Sequence, residues 1–495
     1  MVGSALLPVS RGETRAVGMR QTLAAQMAID LAVEPATLDP AMVYESDGWS
    51  VIHSIYDALV QLGPDGALEM VLAEAMTQVD PLIWEIKLRS GITFHNGEPF
   101  DARSVAFSIA HITDPETKSQ IAGSFQIIAE VEQVDSLTVR LHTSAPAPWL
   151  PSQMGPWLAM LPPDYASDPL NEFANKPIGT GPYRFVRWDR GAQISLARNE
   201  DYQPAKAKGA PIADRVTFRF VPDATTRVTD VISGTSQLVR GVPFDQLTAV
   251  EATAAVVAQP IAGCAFVRIP NDVAPFDDPR VRLAMDHAVD VDAIVTALLG
   301  GNGQRLANVF VPGGLGFDEK LSPHAYDPGL AKQLLAEAGH PDGFATRLAY
   351  TTAERADLVT AVAGQLETAG IKVALEPMET AAFNQTWQDQ DAAPLRFLTW
   401  RPLFDPYTLL SLVFSSKGFL SRYNDPEAQT LIDAGAVATD PGKRNTIYQQ
   451  LGRVMHDAPA AIYLWSLTSF YGVASDAPAW TPRPDDWILP LLVSE

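Results

Sequence analysis

The chain has 495 residues and a formal net charge of −22 at pH 7, from 36 basic and 58 acidic side chains. Hydrophobic residues make up 47% of it, which is typical of a globular protein with a large core. An acidic surface repels nucleic-acid phosphates and anionic lipid headgroups, so neither nucleic acid nor a membrane surface is an expected partner.

Cys264 is the single cysteine, which excludes an internal disulfide and a cysteine metal cluster. It lies in the apolar run of residues 261–267, so a buried thiol is predicted rather than a reactive one. No apolar stretch reaches the length of about 18 residues that crosses a bilayer. Residues 1–19 contain one short apolar run with no charged segment before it, so no secretory signal is visible. Either the signal is missing from this sequence or the protein is not exported.

Strand and helix patterns alternate along the whole chain. Apolar and polar residues alternate at 84–89, 137–142 and 216–220, which is the period of a half-buried strand. Asp-Pro pairs at 278–279, 327–328 and 440–441 each precede a helical pattern, because Asp caps free N–H groups and Pro presets the first helical φ. Residues 358–375 predict a helix, a stop at Gly370 and a strand. With no flexible linker visible, we expect α/β lobes joined by strands that cross between them more than once.

The patterns that carry catalysis or hold cofactors are missing. No two of the eight histidines lie within five residues of each other, and neither a GxSxG elbow nor a nucleotide-binding glycine loop is present. The sequence at 179–182 (GTGP) ends in a proline without an N–H and precedes a strand pattern, so it predicts a turn. We therefore predict no enzyme activity, no cofactor and no metal site.

Aromatic residues carry more information about function. Tyr44, Trp49 and Tyr56 lie close together in sequence, and Trp400, Phe404 and Tyr407 surround an Asp-Pro turn. Core packing is the simpler interpretation of any one of them. Loop positions beside Gly48 and Pro402 favour Trp49 and Trp400 as walls of a cleft, where aromatic faces hold a solute by stacking.

Seven landmarks occur in an order that resembles the peptide/nickel family (family 5) of solute-binding proteins of ABC importers. They are residues 38–40 (LDP), 56–60 (YDALV), 88–100 (LRSGITFHNGEPF), 177–183 (PIGTGPY), 198–202 (RNEDY), 278–282 (DPRVR) and 326–328 (YDP). The resemblance extends from about residue 25 to residue 490. It implies a two-lobed, class II, periplasmic-binding-protein-like α/β fold with a ligand cleft between the lobes.

The resemblance also implies a division of the chain. Residues 1–23 would be a disordered N-terminal extension, and residues 24–259 and 468–495 would form a discontinuous first lobe. A subdomain at roughly residues 58–180 would be inserted in that lobe, and residues 260–467 would form the second lobe. The crossings would fall near residues 259–260 and 465–470.

Residues 394–455 look closest to the nickel-binding branch of the family. Trp400 matches the tryptophan that packs on the nickel complex, and Tyr44, Glu45 and Trp49 fall near its other cleft residues. The histidine that can coordinate nickel would lie in residues 415–423, which contain none. An anchoring arginine would lie near residues 155–160, which also lack one, and the branch's inserted-subdomain tryptophan would fall near Gln120.

Peptide-binding members of the family carry an acid shortly before the Asp-Pro turn. Residues 401–404 contain none, so both of the familiar ligands are in doubt.

The resemblance thus implies a receptor that captures a small organic solute, which is peptide-like, metallophore-like or another small polar compound, for a membrane permease and its ATPase. The resemblance places it outside the cytoplasm, and a monomer is expected. The predicted ligand-binding residues are Tyr44, Glu45, Trp49, Trp400, Arg401, Phe404 and Asp405.

Trp400 and Trp49 would stack on the solute. Arg401 would bind a carboxylate or phosphate group of the solute, and Glu45 or Asp405 would bind a cationic group. The structural alternatives are that Arg401 is a solvated loop residue and that Asp405 caps a helix. The functional alternatives are a secreted hydrolase and a sensory or chaperone-like receptor with the same fold.

Overall fold

The computed structural model describes residues 25–63, 67–387, 389, 391–401 and 404–492, except the side chains of residues 205 and 206. The extension predicted for residues 1–23, with its predicted disorder, lies outside the described residues.

The strands of the described residues are β1 (Met27–Leu31), β2 (Val60–Leu62), β3 (Leu68–Met70), β4 (Ala73–Asp80), β5 (Ile83–Leu88), β6 (Ile128–Asp135), β7 (Thr138–Thr143), β8 (Tyr183–Asp189), β9 (Gln193–Arg198), β10 (Ala210–Pro211), β11 (Arg215–Phe220), β12 (Leu238–Arg240), β13 (Ala255–Arg268), β14 (Phe344–Thr351), β15 (Ile371–Met378), β16 (Leu395–Trp400), β17 (Ala461–Val473) and β18 (Leu491–Leu492).

The α-helices of the same residues are α1 (Ser46–Ile55), α2 (Ala102–Thr113), α3 (Leu150–Trp157), α4 (Pro163–Ala166), α5 (Ala205–Lys208), α6 (Ala224–Ser233), α7 (Leu247–Glu251), α8 (Pro279–His287), α9 (Val291–Leu298), α10 (Pro328–Glu337), α11 (Ala356–Thr368), α12 (Thr380–Gln385), α13 (Pro406–Leu409), α14 (Pro426–Val437) and α15 (Pro441–Asp457). A π-helical turn, Leu410–Phe414, follows α13. Among the helices described, none is long and apolar enough to cross a membrane.

A ten-stranded sheet runs through both lobes in the order β15-β14-β16-β13-β17-β12-β1-β11-β9-β8. Its two long central strands, β13 and β17, are antiparallel neighbours. The start of β13 pairs with the end of β17 beside β12, and the end of β13 pairs with β16. Their register shifts between Pro260 and Cys264, which is where irregular pairing bends a sheet. These two strands therefore connect the half of the sheet that contains β1 to the half that contains β14.

Each half of the large sheet has its own core. In the first lobe, Ile29, Trp49 and Phe218 belong to one apolar cluster. In the second lobe, alternate residues of β13 face opposite sides: Val267 joins the cluster around α8 and α11, and Phe266 joins the cluster around α14 and α15. Burial on both faces explains why residues 261–267 are a continuous apolar run. A separate four-stranded sheet, β4-β5-β7-β6, packs with α2 in a third cluster.

The local patterns read from the sequence are confirmed. The three predicted strands are β5, β7 and β11, and the three Asp-Pro pairs begin α8, α10 and α15. The carboxylates of Asp278, Asp327 and Asp440 each accept a backbone N–H of the first helical turn. The thiol of Cys264 is fully buried, and that burial raises its pKa.

Two sequence landmarks, residues 88–100 and 177–183, meet at a contact that we call the signature joint, formed by His95, Gly179, Gly181 and Ile55. The Gly179 N–H donates to Nδ1 of His95 at 3.3 Å, so Nε2 carries the proton and donates to the Gly181 carbonyl at 2.9 Å. A Cβ placed on Gly179 or Gly181 would lie 2.1 or 2.4 Å from the Ile55 carbonyl oxygen. Only glycine allows this approach of two backbones, so these landmarks are structural.

Candidate functional site

A cavity of about 380 Å³, here called the inter-lobe cavity, lies beside the bend of β13. Its walls come from Leu62, residues 259–262, residues 310–315, Phe404, Pro406 and Pro484. Leu62 belongs to β2 in the region predicted as the inserted subdomain, whereas residues 310–315 and Pro406 fall in the region predicted as the second lobe. The cavity thus takes walls from both predicted lobes and from β13, and its size is that of a small-molecule pocket.

Side chains from opposite sides of the cleft also touch directly. The rings of Trp149 and Tyr407 are stacked, with centroids 4.3 Å apart and an interplanar angle of 13°. Next to them, the Thr408 hydroxyl donates to Oε1 of Gln153 at 3.1 Å. Trp149 is the N-cap residue of α3 and Gln153 lies within that helix, whereas Tyr407 and Thr408 lie in α13. We call this contact between α3 and α13 the closing contact.

Arg401 lies close to two acidic side chains, Asp486 and Glu354. Its Nη1 is 3.6 Å from Oδ2 of Asp486. Burial raises the pKa of Glu354, and both the Thr399 hydroxyl, which donates to Oε1 at 2.5 Å, and the Arg401 charge oppose that rise. The Arg401 side chain is 44% exposed, so its guanidinium is still accessible to a solute.

Asp486 is fixed from the first lobe. The Tyr471 hydroxyl donates to Oδ1 at 2.7 Å, and Nη1 of Arg240 donates to Oδ2 at 3.2 Å. Arg240 also forms an ion pair with Asp47, whose other oxygen accepts two backbone N–H groups at the end of β1. This buried network holds the C-terminal segment against the first lobe, so Asp486 is a rigid partner for Arg401.

Trp400 ends β16, where it pairs with Cys264 of β13. It is partly buried and packs against the apolar cluster that contains Phe266 and Phe310. Phe404 lines the inter-lobe cavity, and its ring centroid is 5.8 Å from that of Trp487. Among the described residues, Phe404 thus lines the inter-lobe cavity, whereas Trp400 packs against the neighbouring apolar cluster.

Trp49 is 3% exposed and lies within the core of the first lobe. Its indole N–H donates to the Val43 carbonyl at 2.8 Å, and its ring lies 4.4 Å from Trp157 and 5.8 Å from Trp487. Both the donor and the ring already have partners in the protein. Stacking of Trp49 on a solute stays a prediction.

Tyr44 and Glu45 lie just before α1 and are partly buried. The Tyr44 hydroxyl accepts the backbone N–H of Gln120 at 2.7 Å and donates to the Ala41 carbonyl at 3.3 Å. Glu45 occupies the N-cap position of α1 without a capping hydrogen bond, and its carboxylate accepts the Tyr44 N–H at 3.2 Å. Sequence positions 44 and 120, both compared with the nickel-binding branch, are therefore neighbours in space.

The helix-cap alternative for Asp405 is confirmed. Its carboxylate accepts the Tyr407 N–H at 2.8 Å at the start of α13. It also forms a two-pronged ion pair with Arg444 of α15, with N···O distances of 2.5 and 2.9 Å. The two side chains are 7% and 6% exposed, so this carboxylate is occupied by protein groups.

Most of the cavity wall was not found from the sequence. Residues 259–260 were predicted only as a crossing point and residues 261–262 only as the start of an apolar run, and residues 310–315 and Pro484 were not singled out. The string at 311–316 (VPGGLG) indicates a loop, and this was the one available signal. A smaller cavity of about 160 Å³ on the other face of β16 is lined by Glu354, Thr399, Trp465 and Thr468, among others. Within the described ranges, no group of three or more His, Cys, Asp or Glu side chains is placed to hold a metal ion.

The family model described as "Bacterial extracellular solute-binding proteins, family 5 Middle" matches residues 67–421, well over half of the chain. The chain belongs to this family of solute-binding proteins, which serve ABC importers and are binding proteins rather than enzymes. The expected family and the two-lobed α/β fold are thereby confirmed.

The glutathione-binding protein GsiB of Pectobacterium atrosepticum is 28% identical over 476 residues, covering 91% of each chain. The periplasmic binding protein DppA of Helicobacter pylori, solved with the peptide STSA, has a TM-score of 0.80 at 24% identity and covers 95% of this chain and 97% of its own. NikZ of Campylobacter jejuni, solved with Ni(L-His), has a TM-score of 0.77 at 21% identity, with 91% and 94% covered.

Proposed function

We propose that this protein captures a small, peptide-like organic solute in the cleft between its lobes, outside the cytoplasm, and delivers it unaltered to an ABC permease. The observation that carries the proposal is the inter-lobe cavity, because walls contributed by both lobes enclose a solute only when the lobes are close together. The relatives named for glutathione and a peptide support a peptide-like ligand.

The proposed chain division is the one expected from the sequence: residues 24–259 and 468–495 as the first lobe and residues 260–467 as the second. The pairing of β13 with β17 supports it, since the register shift after Pro260 lies at the proposed boundary. Opening and closing would then be a bend in two adjacent strands rather than a movement of a flexible linker.

The proposed solute contacts come from the side of the cleft where three predicted residues lie together. Arg401 would exchange its loose contact with Asp486 for a carboxylate of the solute, since a bound carboxylate could approach closer than 3.6 Å. Trp400 and Phe404 would supply apolar area, and Tyr44 and Glu45 would approach from the first lobe. Asp405 is not proposed as an anchor, because Arg444 already neutralises it.

Native mass spectrometry of gently purified protein tests the proposal directly. We expect a co-purified small molecule in one-to-one ratio with a monomeric protein, and its removal should increase the radius of gyration measured by small-angle scattering. Incubation with micromolar protein should return the solute chemically unchanged. A radius that is the same with and without the solute would contradict a closing cleft, and conversion abolished by one point substitution would show an enzyme.

A further inference from the structure

We infer that the inter-lobe cavity is a pocket for an uncharged, apolar side chain, so that the preferred solutes are peptide-like compounds bearing an aliphatic or aromatic group. The inference rests on the proposed function and narrows it. It concerns one subsite and leaves the charged ends of the solute to Arg401 and the groups near it.

The side chains that line the cavity are uncharged, and most of them are apolar. The first lobe and the connecting strand contribute Leu62 and Ile261, and the second lobe contributes Phe310, Val311 and Leu315. Among the described residues that line it, none has a charged side chain. The side-chain amide of Gln259 donates to the Pro260 carbonyl at 2.8 Å.

The charged groups just behind these walls are paired with one another. Asp405, next to Phe404 and Pro406, is bound by Arg444 at 2.5 Å. Arg483, next to Pro484, forms a buried ion pair with Asp485 at 2.6 Å and donates to the Leu62 carbonyl at 2.7 Å. A charged group entering the cavity would lose its hydration and find no free counter-charge, which is strongly unfavourable.

An apolar group of the solute gains binding free energy in the same cavity. Complete burial of a leucine or phenylalanine side chain corresponds to about 10- to 150-fold in affinity. A cavity of about 380 Å³ is enclosed from two lobes, so the gain is realised only in the closed form. An apolar side chain would therefore favour both binding and closure.

Isothermal titration calorimetry with defined probes tests this. The probes are Gly-Gly-Gly, the three tripeptides in which leucine replaces one glycine, the three matching aspartate tripeptides, and glutathione. We expect at least one leucine tripeptide to bind about 10-fold or more tightly than Gly-Gly-Gly, and no aspartate tripeptide to bind more tightly than Gly-Gly-Gly. Glutathione should not bind more tightly than the best leucine tripeptide.

A variant of the cavity wall assigns the preference to this pocket. Leu315 is partly buried on the loop of residues 310–315, so Leu315→Asp should reduce the leucine-to-glycine affinity ratio to within about threefold. Leu315→Met, the apolar control, should keep the ratio. A thermal melting curve for each variant establishes that it is folded.

The outcomes separate the two proposals. Peptide binding with no preference for leucine, or a preference that Leu315→Asp leaves intact, would overturn the apolar pocket and leave the proposed function standing. Glutathione binding more tightly than the best leucine tripeptide, or an aspartate tripeptide binding more tightly than Gly-Gly-Gly, would also overturn the apolar pocket and leave the proposed function standing. Binding of none of the eight probes would overturn the peptide-like function and this inference with it.

Discussion

The signature joint and the inter-lobe cavity are built in opposite ways. The joint is a contact between backbones, with Gly179 and Gly181 against the Ile55 carbonyl and His95 held by two specific hydrogen bonds. The cavity is a space left between side chains from five separate parts of the chain, and many apolar residues would line it equally well. Residue identity is therefore restricted at the joint and loosely restricted at the cavity, which explains why the sequence reveals the family more readily than the ligand.

The largest effect is expected at the joint, from Gly179→Ala. The added Cβ would lie 2.1 Å from the Ile55 carbonyl oxygen, and because both atoms belong to backbones that packing holds, relief requires a backbone shift. We expect a loss of at least about 3 kcal/mol in the free energy of unfolding, measured by urea denaturation. Gly123→Ala is the matched control, since a Cβ at Gly123 meets nothing within 4 Å. Equal stability of the two variants would show that the joint tolerates a side chain.

The joint should also make stability sensitive to acid. Burial lowers the pKa of His95 to about 4, below its ordinary value of 6.5. The folded state thus binds fewer protons than the unfolded state between these values, so stability is complete above pH 6.5 and falls as the pH decreases towards 4. We expect His95 to account for about 3 kcal/mol over this window.

Melting curves of the wild type and His95→Gln from pH 8 to pH 4 measure that contribution. The variant should start less stable, because it loses one of two hydrogen bonds, and should change less with pH. Parallel curves over the whole range would contradict a buried neutral imidazole at this position.

At the cleft, Trp400→Ala tests whether the predicted stacking residue contacts solute. Loss of a stacked ring would remove on the order of 1–3 kcal/mol, and the affinity for the co-purified solute should fall roughly 5- to 150-fold. The Trp400→Phe variant should retain most of the wild-type affinity. An unchanged affinity in calorimetry would assign Trp400 to the core cluster alone.

The smallest effect is expected at the closing contact. Tyr407→Ala removes the ring stacked on Trp149, which is worth about 0.5–1.5 kcal/mol, and so favours the open form. Every solute should bind more weakly by the same factor, roughly 2- to 12-fold, since only the closed population changes. Tyr407→Phe keeps the ring and should bind as the wild type does. A factor that differs among solutes would mean that Tyr407 touches the solute itself.

The difference between joint and cavity also explains which parts of the fold could be predicted. Strands β5, β7 and β11 followed from alternation, and α8, α10 and α15 from Asp-Pro pairs, because each pattern reports contacts between residues only a few positions apart. The family followed from landmarks such as residues 177–183, whose glycines are required where two backbones touch.

The site followed only in part. Phe404 was predicted and lines the inter-lobe cavity, but Asp486, the acidic partner of Arg401, was not foreseen from the sequence. Asp405 was offered both as an anchor and as a cap, and the ion pair with Arg444, 39 positions away, engages its carboxylate within the protein.

By itself, then, the sequence determined the α/β class, the positions of many helices and strands, the buried thiol of Cys264 and the family. Only the tertiary structure determined the inter-lobe cavity, the fixed position of Asp486 and the stacking of Trp149 on Tyr407. The physical reason is the distance along the chain between the residues that interact. A cap or an alternating strand is decided within a few residues, whereas the cavity exists because Leu62, the bend of β13, the loop of residues 310–315 and Pro484 are brought together by the closure of two lobes.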